Sequence, residues 1–182
     1  MTSSDETSLD ARRVQELRKR VGEHLEGAPV GRGVRVALVC SRFNGAITTR
    51  LLEGALDVLG EAGVDRRDII VGWVPGAFEI PLMALAFADG DRAIDAVITL
   101  GAVIRGETTH YEIVSGECAR GVQDVQLSTR VPVVFGVLTV NSLDQALDRS
   151  AKDESNKGRE AATTALEMVS VLRQGSLGSS RR

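Results

Sequence analysis

The stretch VRVALVCSRFNGAITTRLLEGALDVLGEAG, residues 34–63, decides the fold. It opens with a β-type run, Val34 to Cys40, that is apolar at nearly every position rather than at every second one. The period then changes. Ile47, Leu51, Ala55, Val58, Leu59 and Ala62 fall on one helical face, and Gly63 closes the helix. A strand that is apolar on both faces must be covered on both, so this unit predicts a parallel sheet lying between layers of helices.

The same alternation extends along the chain. Ile69 to Val74 reads as a second strand, and Ile80 to Ala88 as a short helix with Pro81 in its first turn. Ile94 to Leu100 is a third strand. A helix from His110 to Leu127 follows, with Tyr111, Val114, Cys118, Val122 and Val125 turned inward. Val131 to Leu138 is the fourth strand, and helices over 142–150 and 156–173 complete the domain. The expected fold class is α/β: a three-layer α/β/α sandwich around a four-stranded parallel sheet with right-handed crossovers. Trp73, beside the second strand's end, reads as core.

Residues 1–33 form an N-terminal extension with six basic and six acidic residues, closing in Gly-Ala-Pro-Val-Gly-Arg-Gly. Val14, Leu17, Val21 and Leu25 recur there at helical spacing. The domain proper spans 34–173, and the Gly/Ser-rich tail 174–182 reads as disordered.

Composition narrows the function. A net charge of −3 and an aromatic content of 3% give neither a basic footprint nor a base-stacking surface, which argues against nucleic-acid binding. Cys40 and Cys118 stand far apart without a CxxC pattern and read as buried thiols. With His24 and His110 the sole histidines, a zinc site is not expected. No apolar run is long enough for a membrane span, and no secretory signal opens the chain, so a soluble cytoplasmic protein is expected. No GxGxxG or GxxxxGK[ST] opens any helix, which removes the usual dinucleotide and P-loop readings.

Ligands of open parallel sheets bind beyond the carboxyl ends of the strands, and the informative residues fall there. Phe43 sits in Ser41-Arg42-Phe43-Asn44-Gly45 after the first strand, as a stacking platform or a loop anchor. Glu79 follows the second, and could bind hydroxyl or ring N–H groups or serve the helix N-terminus. After the third comes Gly101 to Glu112, where Thr109-His110-Tyr111-Glu112 fits a capping box that places His110 at the first helical position. Gly106 and the N–H groups of Glu107 and Thr108 then form an anion pocket beside the helix dipole. A helix N-terminus favours the neutral imidazole that a general base needs. Arg149 could supply a phosphate-facing guanidinium. By spacing alone the chain reads as an α/β protein that binds a small anionic ligand near His110.

Six segments in register, Arg42-Phe43-Asn44, Trp73 to Pro81, Gly101 to Tyr111, Pro132 to Thr139, Gln145 to Arg149 and Asn156-Lys157-Gly158, closely resemble the lumazine synthases. The resemblance implies a flavodoxin-like fold and the condensation of 5-amino-6-(D-ribitylamino)uracil with 3,4-dihydroxy-2-butanone 4-phosphate, without metal or cofactor. By matching position it implies that Phe43 stacks on the pyrimidine. Ala77, Phe78 and Glu79 would line the ring and ribityl site on one side, with Ala102, Val103 and Ile104 on the other. It gives Glu107, Thr108 and Arg149 to the phosphate, proton transfer to His110, closure of the pocket to Phe135, and added positive charge to Lys157. It further implies homo-oligomers, either pentamers or icosahedral shells of twelve pentamers, with sites between neighbouring subunits. Two other readings on the same fold are a shell scaffold with degenerate activity and a lumazine- or flavin-binding carrier. The chain departs from the family pattern at Ser150 to Ser155, at Val140, and in its longer N-terminal extension.

Overall fold

The computed structural model describes residues 10–178. Four strands, β1 (Val36–Ser41), β2 (Ile69–Val74), β3 (Ala96–Ile104) and β4 (Val133–Val140), form one parallel sheet in the order β2-β1-β3-β4. This order places β1 inside, with Val36 opposite Ile69 on one side and Ala96 on the other. All six residues of β1 are accordingly buried, as its unbroken apolar run requires. A short helix, α1 (Ala11–Arg18), precedes the sheet. The strands are linked and followed by α2 (Gly45–Glu61), α3 (Ile80–Ala88), α4 (His110–Thr129), α5 (Leu143–Arg149) and α6 (Lys157–Gly178).

Two apolar layers hold the sandwich together. Leu38, Cys40, Ile98 and Leu100 pack with Leu51 and Leu59 of α2 and Leu166 of α6. On the other face Val39 and Val97 meet Ile80 and Phe87 of α3, and Cys118 and Val122 of α4. The sheet is thus covered on both sides, which is the α/β, flavodoxin-like arrangement expected.

Pairing moves the strand ends. β3 continues to Ile104 because Gly101 to Ile104 pair with Val137 to Val140, and the last two strands start and end about two residues or more later than their apolar runs. Strand length is set by the neighbour as well as by the strand's own pattern. Trp73 corrects the core assignment: it is 46% exposed. β2 is an edge strand, and Met83 and Phe87 of α3 fill the place where a Gly72 side chain would project. Trp73, one residue on, points away from α3 at the sheet's margin.

α1 ends at Arg18, capped at its start by the Asp10 carboxylate, and Leu17, Val21 and Leu25 are all exposed. Further on, the extension lies against α6. Glu26 O accepts from Gln174 Nε2 at 2.9 Å, and Gly33 O from Arg173 Nη2 at 3.2 Å. α6 runs on to Gly178; the tail residues 179–182, like residues 1–9, lie outside the described residues. No helix among the described residues is long and apolar enough to cross a membrane.

The two thiols sit in opposite apolar layers, each 0% exposed, and burial pushes both up to about 12. Neutral in the fold, they ionise in the unfolded chain from about their ordinary value of 9.0 upward. Their contribution to stability is therefore complete below about pH 9 and is lost as pH rises from there toward 12. The native protein should resist a chromogenic thiol reagent at pH 8 and react at both cysteines once denatured. Fast reaction of the native protein would show that the layers open.

Candidate functional site

A groove of about 710 Å³ lies across the carboxyl ends of β1, β2 and β3, where β1 has β2 on one side and β3 on the other. This reversal of strand order is where open α/β sheets take ligands. Its walls include Phe43, Ala77, Phe78, Glu79, Ala102, Val103 and Ile104, with Thr108, His110 and Tyr111 along one side. The structure therefore brings together most of the residues that the sequence picked out from three separate loops.

Local bonding explains how Phe43 is presented. Arg42 N–H donates to Val74 O at 2.8 Å and Phe43 N–H to Pro75 O at 3.1 Å, so the loop after β1 stays attached to the loop after β2. Asn44 then turns into the left-handed region at φ 56° and donates its side-chain N–H to Ala102 O at 2.9 Å. Asparagine tolerates that conformation better than most residues. With its backbone held on both sides, the Phe43 ring is 72% exposed at the groove rim. A loop-anchoring hydrophobe would be buried, and the Phe43 ring is not buried within this chain. Phe78 is also exposed, at 56%, whereas Ala77 and Ala102 are buried floor. Glu79 accepts the Gly76 N–H at 2.9 Å through Oε2, which secures the turn into α3.

The expected capping box at α4 does not form. Thr109 makes no side-chain cap, and Thr108 Oγ1 receives the His110 N–H instead, at 3.5 Å. Arg105 Nη1 donates to the Glu112 carboxylate, and this bond, with a smaller contribution from Glu112's own backbone N–H, holds that carboxyl below its ordinary value. A guanidinium within reach competes better for the carboxylate than one backbone N–H does. His110 still occupies the first position of α4 and lines the groove. Glu107 is exposed and its side chain lies outside the groove wall.

Phe135, Arg149 and Lys157 lie elsewhere. They line a second groove of about 460 Å³, along the open edge of β4 and the start of α6, that shares no lining residue with the first. Thr139 opens onto the same groove. Lys157 pairs with Glu160 there, and Arg149 Nη1 donates to Gln145 O at 3.2 Å. Ala151 to Glu154, in the unusual segment after Arg149, border neither groove; they line a third hollow against α2, where Lys152 meets Glu53 at 3.1 Å.

In the Asn156-Lys157-Gly158 motif, Lys157 alone faces the second groove. Asn156 is 2% exposed, donating to Ala151 O and Arg50 O and accepting from Gly158 N at 2.8 Å. Gly158 lies so close to α2 that a Cβ there would stand 1.9 Å from Leu51 O. These two residues set how α6 approaches α2.

Sequence reasoning passed over Asn44, Arg105 and Tyr111 as parts of the site. An asparagine followed by glycine at a helix start was the signal for Asn44; nothing local marks Arg105, whose partners are distant in the chain or are common surface types. The family model described as 6,7-dimethyl-8-ribityllumazine synthase matches residues 33–173, more than three quarters of the sequence, and the chain belongs to that family.

Proposed function

We propose that this chain condenses 5-amino-6-(D-ribitylamino)uracil with 3,4-dihydroxy-2-butanone 4-phosphate to 6,7-dimethyl-8-ribityllumazine, a transferase step of riboflavin biosynthesis. The observation that carries the reading is the exposed Phe43 ring at the mouth of a groove whose far side bears Thr108 and His110. A planar pyrimidine stacks on Phe43, while Ala102 to Ile104 border its other side. Glu79 keeps Oε1 for ribityl hydroxyls while Oε2 holds the Gly76 N–H.

The ring amine attacks the ketone and one water leaves as the imine forms. Loss of the C3 proton and of phosphate then leaves an enol at the former hydroxyl carbon, which tautomerises to a ketone; the ribitylamino nitrogen closes the ring on this new carbonyl, and a second water departs. His110 carries protons between nitrogen and oxygen during these steps. The chemistry is mild, so holding the two substrates together supplies much of the acceleration.

The phosphate is read by Thr108, the backbone at Glu107, and Arg149. Because Arg149 and Phe135 line a different groove from His110, we propose that they serve the groove of a neighbouring copy in a homo-oligomer. The exposed edge-strand residues Val71 and Trp73 suit burial between copies.

Mixing the two substrates with the purified chain and following lumazine absorbance tests the reaction. Product formation is expected; binding of lumazine with neither substrate consumed would replace the reading with a carrier. His110→Ala and Arg149→Ala variants test the shared site. Co-refolded in equal amounts, they should regain activity above either alone, since random assembly leaves about a quarter of junctions intact by counting. Activity no greater than the average of the two would place both residues in one subunit's site.

A further inference from the structure

We infer that Arg105, outside the groove itself, is the positioning residue that holds the His110 turn in place, an inference that rests on the lumazine-forming reading of the groove. Its guanidinium joins three elements. Nη1 donates to the Glu112 carboxylate in the first turn of α4, and Nε to Asn141 Oδ1 at 3.0 Å, just past β4. The plane lies 4.1 Å from the centre of the Tyr111 ring, itself part of the groove wall. The Arg105 backbone N–H extends the β3–β4 ladder to Val140 O at 2.9 Å, so the arginine stands on the rigid end of the sheet.

His110 lies between these attachments. Its neighbours on the helix, Tyr111 and Glu112, are both held by one side chain, whereas its own first-turn cap is a single 3.5 Å contact from Thr108. An ordinary cap would have come from Thr109 and Glu112, but Glu112 is engaged by Arg105. The α4 start is therefore located from the sheet by a side-chain clamp rather than by its own capping box. Arginine suits this because its flat fork can stack on a ring and donate in two directions at once; lysine keeps the charge and loses both.

The test is a double-mutant cycle on kcat. Arg105→Ala should lower kcat about tenfold where His110 is present, since a displaced proton carrier is slow, and less than twofold in a His110→Ala background. Arg105→Lys should recover less than half of that loss. The KM for the uracil substrate should stay within about twofold in each variant, because Phe43 and the floor are held by other bonds. An equal factor in both backgrounds would mean that Arg105 acts through general stability, and would overturn the proposal. Tyr111 is the sole tyrosine, so its ring resonance offers a reading independent of activity. It should shift in Arg105→Ala, and an unmoved resonance would likewise overturn the clamp. A wild-type chain that makes no lumazine would instead refute the functional reading beneath it, while the resonance would still report on the clamp.

Discussion

His110→Ala should lower kcat for lumazine formation about a hundredfold while leaving the fold intact. General acid–base assistance contributes on the order of 10²–10⁴ in rate, and the lower end applies where the approximation of two substrates carries much of the work. The side chain is exposed at the first position of α4, and its ring has no hydrogen-bond partner among the described residues, so its removal leaves neither a cavity nor an orphaned buried group. The unfolding midpoint should therefore stay within about 2 °C of wild type, on the scale of well under 1 kcal/mol for a surface change. The KM values should change little, because His110 is asked to move protons rather than to bind. Added imidazole should restore part of the rate through the open groove. Wild-type kcat in the variant would remove His110 from the mechanism. A parallel loss of kcat and melting temperature would make it a structural residue.

Gly158→Ala should destabilise the chain by about 3 kcal/mol, the upper part of the range for forcing added volume into a packed contact. The new methyl would stand 1.9 Å from Leu51 O, 2.6 Å from its carbonyl carbon and 2.9 Å from its Cα. All three are backbone atoms inside α2, so no side-chain rotation relieves the overlap, and α6 must move away from α2. A loss of that size lowers the melting temperature by roughly 6–12 °C for a chain of this length. Gly60→Ala is the matched control. It lies in the same helix as Leu51, nothing stands within 4 Å of its added Cβ, and it should raise stability by about 0.5–1 kcal/mol through helix propensity. Opposite signs at these two glycines would show that close approach, rather than helix preference, sets the requirement at 158. Equal effects would refute the contact.

Much of the site was legible because open α/β sheets collect ligands at strand ends, so loops far apart in sequence become candidates for one place. Phe43, Ala77 to Glu79, Ala102 to Ile104, Thr108 and His110 do share one groove. The capping box at Thr109 was misread for a physical reason: the motif describes a helix end in isolation, and here Arg105 engages the Glu112 carboxylate while Thr109 makes no side-chain cap. Trp73 was misread because an apolar run does not say whether its strand is central or at the edge. Asn156 and Gly158 flank Lys157 in the matching segment, and their geometry assigns them to helix packing.

Periodicity and turn residues by themselves determined that residues 34–63 form a strand and then a helix, that the unit repeats, and that the class is a parallel sheet between helices. These properties depend on the spacing of apolar side chains, which is written in the chain. Tertiary structure alone decided which strands sit at the edges and how far β3 extends. It also set which side chain Arg105 holds, and that Arg149 opens onto a different groove from His110. Those outcomes depend on what each residue meets across the sheet, and a residue's partner through space is not encoded in its neighbours along the chain.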